Sequence, residues 1–245
     1  MPNYQGVWSL SEQYQNASGW PVFVPPIVTD GLVLHLDAGN SNSYSGSGST
    51  WTDLSGNGHN ATLYNTTFSS ANSGSLVFNG TSSQGVTTLQ RDNADFSYFA
   101  VVNAPAQAAN GDNDILDTFE STSQEWTRLS VKGSSTPVTP STSIDNDGTK
   151  RTVDGSTNII NTWVMLTVTR SGSSMKLYVN DGLDNSRNDL TTTIVEGLEP
   201  LYIGSSTNDN EWFTGNIAVI GTYSKELSSS EISQNFESIR GRFGI

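Results

Sequence analysis

The stretch WVMLTVTRSGSSMKLYVNDG, from Trp163 to Gly182, decides the fold of this chain. In each half of it apolar residues stand at every second position: Val164, Leu166 and Val168, then Met175, Leu177 and Val179. Such alternation predicts two strands, each with one face in a core. The intervening run Ser171–Ser174 and the closing Asn-Asp-Gly are rich in turn formers. The stretch therefore predicts an antiparallel hairpin.

Strand patterns recur on both sides of this hairpin. In GLVLHLDAGN, the alternation of Leu32, Leu34 and Leu36 with other residues predicts a strand with the leucines on one face. The run FSYFAVVNA, Phe96–Ala104, is apolar on both faces and predicts a central strand. Further strands are predicted in SLVFN, QGVTT, NDILDTF, EWTRLSVKG, LYIG and GNIAVIGTY, whereas SSTPVTPSTSIDNDGTK, residues 134–150, predicts a loop.

One helix is predicted near the C-terminus, at about residues 229–240. Ser228 and Glu231 have the spacing of a capping box, in which each side chain bonds the other residue's backbone N–H. An apolar stripe at helical spacing follows: Ile232, Phe236 and Ile239. Gly241 is predicted to end the helix.

The composition agrees with an all-β fold. Aromatic residues supply core material, and abundant Ser, Thr, Asn and Gly suit turns and solvent faces. A net charge of −13 disfavours nucleic acid and anionic membranes as partners. The chain has no Cys, no membrane-spanning run and no signal-peptide pattern at its start. We therefore predict a two-sheet antiparallel sandwich over residues 27–245, preceded by an arm and a Pro-rich connector over residues 1–26.

Several of these segments together resemble a known family. The runs GLVLHLDAGNSNSY, TWTDLSGNGHNATL, LVFNGTSS and FTGNIAVIGTYSKELSSSEISQNF, with the hairpin between them, resemble a laminin-G-like domain. More broadly, they resemble the concanavalin A-like jelly roll shared by lectins, glucanases and pentraxins. The resemblance covers about Gly31 to Ile245 and implies two curved sheets of six or seven strands each.

The arm, MPNYQGVWSLSEQYQNASGWP, has four large aromatic residues that so short a segment cannot bury by itself: Tyr4, Trp8, Tyr14 and Trp20. It is similar to N-terminal segments of tailed-bacteriophage structural proteins, and the closing FESIRGRFGI is similar to the ends of laminin-G-like domains on virions. This resemblance implies a non-enzymatic virion structural protein that the arm docks to a capsid or tail. The implied partners are other virion proteins and copies of the chain, in a trimeric or other symmetric assembly. The alternative is that the aromatic residues fold back onto the chain's own sandwich.

A second hypothesis is a carbohydrate-binding or adhesion module for host-surface glycans. Glycan binding needs an exposed aromatic platform beside polar groups, and Trp126 in QEWTR and Trp212 in NEWFT have such neighbours. Packing of both rings at strand edges is the alternative. Trp51 and Trp163 lie inside the laminin-G-like pattern and are expected in the core.

A glycoside hydrolase is the remotest hypothesis. Glucanases of this fold resemble one another in a strand motif of alternating carboxylates, which places acid and nucleophile on one face, and no such run occurs here. Two histidines, His35 and His59, are too few for a three-histidine zinc site. Asp37, at a strand end, is expected to accept turn N–H bonds rather than to catalyse. We predict no catalytic residue and no cofactor.

Calcium is the one ion for which the sequence offers candidates. Short acidic clusters supply hard oxygen ligands at the close spacing that calcium prefers: Asp112 and Asp114, Asp145 and Asp147, and Asp209 with Glu211. Asp and Asn also occupy turns for conformational reasons, and no cluster completes a coordination set. These residues are calcium candidates without an assigned site.

Overall fold

The structure, a computed structural model of the 245-residue chain, describes residues 24–90, 95–107, 113–120, 125–145, 148–190, 200–206 and 211–245. The predicted docking residues Tyr4, Trp8, Tyr14 and Trp20 lie outside these ranges, as do the calcium candidates Asp112, Asp147 and Asp209. In the described ranges the chain forms sixteen strands and one α-helix. No helix there is both long enough and apolar enough to cross a membrane.

The strands are short and follow one another along the chain with few other elements between them. The first eight are β1 (Leu32–Asp37), β2 (Thr50–Trp51), β3 (Ala61–Tyr64), β4 (Thr67–Ser69), β5 (Ser75–Asn79), β6 (Gln84–Gln90), β7 (Phe96–Asn103) and β8 (Asn113–Glu120). The second eight are β9 (Glu125–Lys132), β10 (Thr139–Asp145), β11 (Arg151–Asp154), β12 (Trp163–Ser171), β13 (Ser174–Val179), β14 (Gly182–Arg187), β15 (Pro200–Ile203) and β16 (Thr214–Tyr223). The helix, α1, spans Ser229–Phe243.

The strands form two eight-stranded sheets, and within each sheet neighbouring strands pair antiparallel. Sheet one has the order β14-β13-β12-β7-β16-β5-β4, with β1 also paired to β16. Sheet two has the order β11-β10-β9-β8-β15-β6-β3-β2. The two-sheet antiparallel sandwich is confirmed, with more strands per sheet than the resemblance implies.

The predicted hairpin is formed by β12 and β13, and it supplies part of the main core. Its alternating apolar residues all face the space between the sheets, where Val179 is half-buried and the other five are buried. There they join Leu34, Leu36 and Trp51, none of which has exposed surface. The core position predicted for Trp51 is therefore confirmed.

One leucine of β1 lies on the other side of sheet one from the position that alternation predicts. The register of β1 against β16 shifts between Leu32 and Leu34. Leu34 and Leu36 enter the main core, whereas Leu32 packs on the opposite face of the sheet. A register irregularity of this kind reverses the side-chain direction for the residues before it. The single core face predicted for all three leucines is wrong at Leu32.

A second apolar cluster lies between the outer face of sheet one and α1. The helix contributes Ile232, Phe236, Ile239 and Phe243, and the sheet contributes Phe99, Val101, Met165 and Val219 among others. Sheet one is thus buried on both faces, which accounts for the apolar run in the central strand β7. At the start of the helix the predicted capping box is present, with Ser228 and Glu231 each bonding the other's backbone N–H.

The helix ends three residues later than predicted. It continues past Gly241 to Phe243, and Gly244 ends it with a φ of 69°, its N–H donating to the Arg240 carbonyl oxygen at 3.0 Å. Phe243 is buried, and its ring centroid lies 4.7 Å from that of half-buried Trp163. This packing against the sheet stabilises the last turn, so tertiary contact decides which glycine ends the helix.

The loop predicted over residues 134–150 is wrong in its middle part, where β10 forms. Thr139–Asp145 pairs with β9 on one side and β11 on the other, although it is rich in Ser and Thr and contains a proline. Two of its buried hydroxyls find partners within the sheet: Thr142 Oγ1 donates to the Arg128 carbonyl oxygen at 2.7 Å, and Ser141 Oγ donates to Asp154 Oδ1 at 2.8 Å. Such bonds offset the cost of burying polar side chains in a central strand.

The connector before β1 packs on the helix side of the molecule. Val28 is buried; its N–H donates to Asn235 Oδ1 at 2.8 Å and its carbonyl oxygen accepts from the Tyr223 hydroxyl at 3.0 Å. Gln234 Nε2 donates to the Pro26 carbonyl oxygen at 2.9 Å. The connector is therefore held on the outer face of sheet one, at α1.

Candidate functional site

The outer face of sheet two, which points away from sheet one, carries the candidate site. Along β9, Leu129 and Val131 enter the main core, so the alternating residues Trp126 and Arg128 lie on the outer face. A row of directly paired residues, one from each strand, crosses sheet two through Arg128. From β11 to β2 the row is Thr152, Ser143, Arg128, Asp117, Tyr202, Val86, Thr62 and Thr50. This row is buried at its charged centre and exposed at the β3 and β2 end.

Arg128 is the centre of a buried charge cluster and is only 3% exposed. Its Nε lies 3.3 Å from Asp117 Oδ1 and 3.5 Å from Asp114 Oδ2. Its Nη1 donates to the Glu211 carboxylate, and its Nη2 donates to Ser206 Oγ at 3.3 Å. Because a buried charge is costly without partners, these acceptors hold the guanidinium in one orientation.

The carboxylate directly opposite Arg128 has an unusual proton affinity. Asp117 has no exposed surface, and burial raises its pKa from 3.8 to about 6 despite the opposing effects of Arg128 and the Ser206 hydroxyl. The negative charge of Glu211 raises the pKa further. Burial disfavours the charged form of a carboxyl group because water no longer solvates it.

Trp126 lies half-buried at the border of this cluster. The guanidinium carbon of Arg128 lies 4.5 Å from the centroid of the indole ring, and the ammonium nitrogen of Lys150 lies 5.1 Å from it. Asp145 stands opposite Trp126 in the pairing of β10 with β9. Both cations are within the range of a cation–π interaction, which holds the indole in place.

Trp212 reaches the same cluster from the segment before β16. It is half-buried, and its backbone forms an isolated parallel bridge with Asp114. The Asp114 N–H also donates to the Glu211 carbonyl oxygen at 3.2 Å. The structure thus places Trp126 beside the Arg128 guanidinium and the backbone of Trp212 beside Asp114, at different points of one charge cluster. We call Trp126, Arg128, Lys150, Glu211 and Trp212 the tryptophan patch.

The calcium candidates in the described ranges have mixed outcomes. Asp114 has no exposed surface and lies beside the Arg128 guanidinium, so its carboxylate balances a cation of the protein itself. Asp145 lies at the end of β10, opposite Trp126. Within the described ranges no group of three or more His, Cys, Asp or Glu is arranged to hold a metal ion. Calcium binding stays a prediction.

Asp37 has the structural role that its strand-end position predicts. Its Oδ1 accepts from the Gly39 N–H at 2.8 Å, which is a turn bond. Its Oδ2 accepts from Arg242 Nη1 at 2.7 Å, which joins the beginning of the sandwich to the end of α1. The two ends of the family pattern thus meet in an ion pair.

Sequence reasoning missed the residues at the centre of the cluster: Asp117, Arg128, Lys150 and Ser206. Alternation along EWTRLSVKG was sufficient to place Arg128 on the same face as Trp126. No local signal places Ser206 or Glu211 beside Arg128, because they are 78 and 83 residues away along the chain. Only the pairing of the strands brings them together.

Fold and surface together define a lectin-like jelly-roll domain. The family model described as "Concanavalin A-like lectin/glucanases superfamily", of the laminin-G type, matches residues 78–233, which is more than half of the chain. The chain therefore belongs to the concanavalin A-like lectin/glucanase superfamily. No curated protein sequence matches it.

Solved structures with the same fold include the binding domains of a mosquitocidal protein and of a neurotoxin, and a sialidase. The binding domain of Paraclostridial Mosquitocidal Protein 1 is 17% identical, with a TM-score of 0.65 over 85% of this chain and 52% of that one. The botulinum neurotoxin serotype D ligand-binding domain, in complex with N-acetylneuraminic acid, is 18% identical, with a TM-score of 0.65 over 86% and 51%. Trypanosoma rangeli sialidase with the inhibitor DANA is 18% identical, with a TM-score of 0.63 over 91% and 36%. The chain spans about half or less of these structures, and at this identity they show the fold alone.

Proposed function

We propose that the chain is a carbohydrate-binding domain and that the tryptophan patch is its glycan-binding surface. The observation that carries this proposal is the half-buried indole of Trp126, whose ring centroid lies 4.5 Å from the Arg128 guanidinium in a cluster of fixed charged and hydroxyl groups. Half-buried Trp212 is joined to the same cluster through its backbone bridge to Asp114. Sugar rings offer C–H groups to the electron-rich face of an aromatic ring and hydroxyls to polar side chains. A surface with both features can bind and orient a sugar.

The buried part of the cluster gives the surface its rigidity. Arg128 is held by Asp117, Asp114 and Glu211, and it packs in turn against the Trp126 ring. A side chain that is already ordered loses little conformational entropy on binding, so weak contacts to a sugar suffice for measurable affinity.

The positions of the acidic groups favour binding over hydrolysis. A glycoside hydrolase needs two carboxyl groups that reach the scissile bond. Asp114 and Asp117 have no exposed surface and both lie beside Arg128. Both carboxylates orient the Arg128 guanidinium. Because neither has exposed surface, neither can reach a glycosidic oxygen of a bound sugar.

The botulinum neurotoxin domain that binds N-acetylneuraminic acid lends support as a domain of the same fold. Charge argues for a different ligand here. The cluster and its border contain two basic side chains, Arg128 and Lys150, and four acidic ones: Asp114, Asp117, Asp145 and Glu211. Acidic groups therefore outnumber basic groups here. We expect neutral glycans to bind better than anionic ones, because like charges repel at short range.

Glycan-array binding of the purified chain tests the proposal. Trp126→Ala and Trp212→Ala should each weaken binding about tenfold or more, which is about 1.4 kcal/mol, whereas Trp126→Phe should retain most of it. Leu183→Ala is the matched control, because Leu183 is an exposed apolar residue on β14, in the other sheet. Binding of no glycan, or equal binding by wild type and both alanine variants, would contradict the proposal.

We further propose that the domain is displayed on the particle of a tailed bacteriophage as a structural protein. This rests on the sequence similarity of the arm and of the closing FESIRGRFGI to virion proteins. The place of the connector is compatible with it: Val28 is held at α1 on the outer face of sheet one, whereas the tryptophan patch lies on the outer face of sheet two. The connector and the patch thus lie on opposite outer faces of the sandwich.

Deletion of residues 1–23 tests this display. The shortened chain should keep its fold and its glycan binding, because it retains the connector bonds of Pro26 and Val28, but it should no longer join phage particles during assembly. Particle incorporation is measured by quantifying the chain in purified virions. Normal incorporation of the shortened chain would rule out anchoring through the arm.

A further inference from the structure

A second aromatic surface lies at the rim of the sandwich, where the chain passes from β3 in sheet two to β4 in sheet one. Four large apolar side chains are exposed in the described ranges: Val24, Tyr64, Phe68 and Leu183. The two aromatic ones, Tyr64 at 47% and Phe68 at 36% exposure, belong to this crossing. We call residues 64–68 the aromatic rim. Exposed aromatic side chains this close together indicate a binding surface more often than chance placement.

The segments that form the aromatic rim carry no charge of their own, and Arg242 of α1, which lies against Gly39 and Asn72, is paired with Asp37. Residues 38–52 and 60–90, which form the rim strands and their loops, contain no Asp, Glu, Lys, Arg or His. The whole chain contains 35 charged residues, 24 acidic and 11 basic. A surface that lacks charge in so acidic a protein offers no counter-charge to an ionic ligand, and it favours an uncharged one.

The two rings differ in how they are held. The Phe68 ring centroid lies 5.6 Å from that of buried Tyr44, whose hydroxyl donates to the Gly48 carbonyl oxygen at 2.9 Å. Phe68 is therefore fixed by the loop before β2. Tyr64 is the last residue of β3, opposite Gln84 of β6, and its exposed side chain stands on the outer face of sheet two. One ring closes the sandwich edge and the other is accessible.

The polar groups of the rim are ordered by hydrogen bonds. Asn65 has a φ of 53°, and its Nδ2 donates to the Ser82 carbonyl oxygen at 3.1 Å. Ser83 Oγ donates to the Asn65 carbonyl oxygen at 2.6 Å. Asn79 Oδ1 accepts the backbone N–H groups of the adjoining loop. Fixed amides and hydroxyls beside aromatic rings are the groups that a neutral sugar can use.

We propose that the aromatic rim is a second binding site of this domain and that its ligand is an uncharged glycan. The site is separate from the tryptophan patch and goes beyond the proposed function. Tyr64 is on β3 and Trp126 on β9, four strands apart in sheet two, which is about 19 Å at about 4.8 Å per strand step. Two sites on one face raise the apparent affinity for a polysaccharide that reaches both.

The competing occupant is a second copy of the chain, because β4 is an edge strand of sheet one. Edge strands can pair with another molecule. Thr67–Ser69 offers only three residues for such pairing, which is short for a stable added strand. A dimer through this edge is an outcome that the experiment distinguishes.

The test measures binding of the full chain to insoluble neutral polysaccharides (cellulose, chitin and a β-glucan) and to an array of neutral and sialylated oligosaccharides. Tyr64→Ala should reduce binding to at least one neutral glycan about tenfold, and Tyr64→Phe should keep it. Phe68→Ala added to Tyr64→Ala should reduce it further, with thermal melting used to check the fold. Leu183→Ala, an exposed apolar position on the opposite edge of sheet one, should bind like wild type.

The outcomes separate this site from the tryptophan patch. Loss of neutral-glycan binding in Tyr64→Ala but not in Trp126→Ala supports the rim and leaves the patch without support. Loss in Trp126→Ala alone, with Tyr64→Ala equal to wild type, overturns the rim and keeps the proposed function. Sedimentation velocity measures dimerisation. If the wild type dimerises with rising concentration and Tyr64→Ala abolishes the dimer, the ligand of the rim is a second copy of the chain and the glycan assignment is overturned. Absence of any glycan binding overturns both.

Discussion

The substitution Asp117→Asn should remove the pH dependence that one buried carboxyl group imposes on the stability of this fold. Asp117 has no exposed surface, and burial raises its pKa from 3.8 to about 6. Between these two pH values the native state binds a proton that the unfolded state has lost. Stability therefore falls as the pH rises through this window and levels off above about pH 7. An asparagine has no such proton to lose.

The size of the effect follows from the difference in pKa. The shift from 3.8 to about 6 is about 2 units, and each unit is about 1.4 kcal/mol, so the carboxyl group costs about 3 kcal/mol at neutral pH. The variant should thus gain about 3 kcal/mol over wild type between pH 4 and pH 8. The isosteric amide keeps the side-chain volume, and Arg128 keeps Glu211 and Asp114 as acceptors.

The assay is urea unfolding of wild type and Asp117→Asn by tryptophan fluorescence at one-unit steps from pH 4 to pH 8. Subtracting the two curves removes titrations common to both proteins. Glu211→Gln should move the wild-type transition to lower pH, because the Glu211 charge raises the pKa of Asp117. Parallel curves, or a variant that is the less stable protein at pH 8, would refute the reasoning, since either means that Arg128 outweighs burial at this carboxylate.

Two further substitutions test contacts at the ends of the sandwich. Arg242→Ala should lower the free energy of unfolding by about 1–3 kcal/mol. This is less than the loss for a fully buried pair, because the Asp37–Arg242 pair is partly exposed. The control Arg240→Ala, at a half-exposed pair, should change the free energy of unfolding by under about 1 kcal/mol. Equal effects of the two in urea unfolding would show that the pair does not join the chain ends. Ser228→Ala removes the hydroxyl that caps Glu231 and should cost about 1 kcal/mol, and an unchanged melting temperature would contradict a stabilising cap.

The location of the candidate site could be only partly predicted from the sequence. The aromatic and acidic candidates Trp126, Trp212 and Asp114 were visible as residue types in polar surroundings. Their placement around one cluster was not, because it depends on β8 pairing with β9 and on the backbone of Trp212 bridging to Asp114 of β8. The aromatic rim was missed for the same reason. The uncharged segments that form it are separate in the sequence, and only the fold brings them together.

The sequence alone determined most of the strands and where the helix begins, because alternation, turn residues and a capping box act between residues a few positions apart. Tertiary structure decided what local signals do not contain. The strands β5 and β6 follow one another in the chain but belong to different sheets. Residues 139–145 form a strand because two neighbours satisfy their polar groups, and the helix ends at Phe243 because its ring packs on Trp163. Pairing and packing join residues far apart in sequence, so their energies depend on the whole fold.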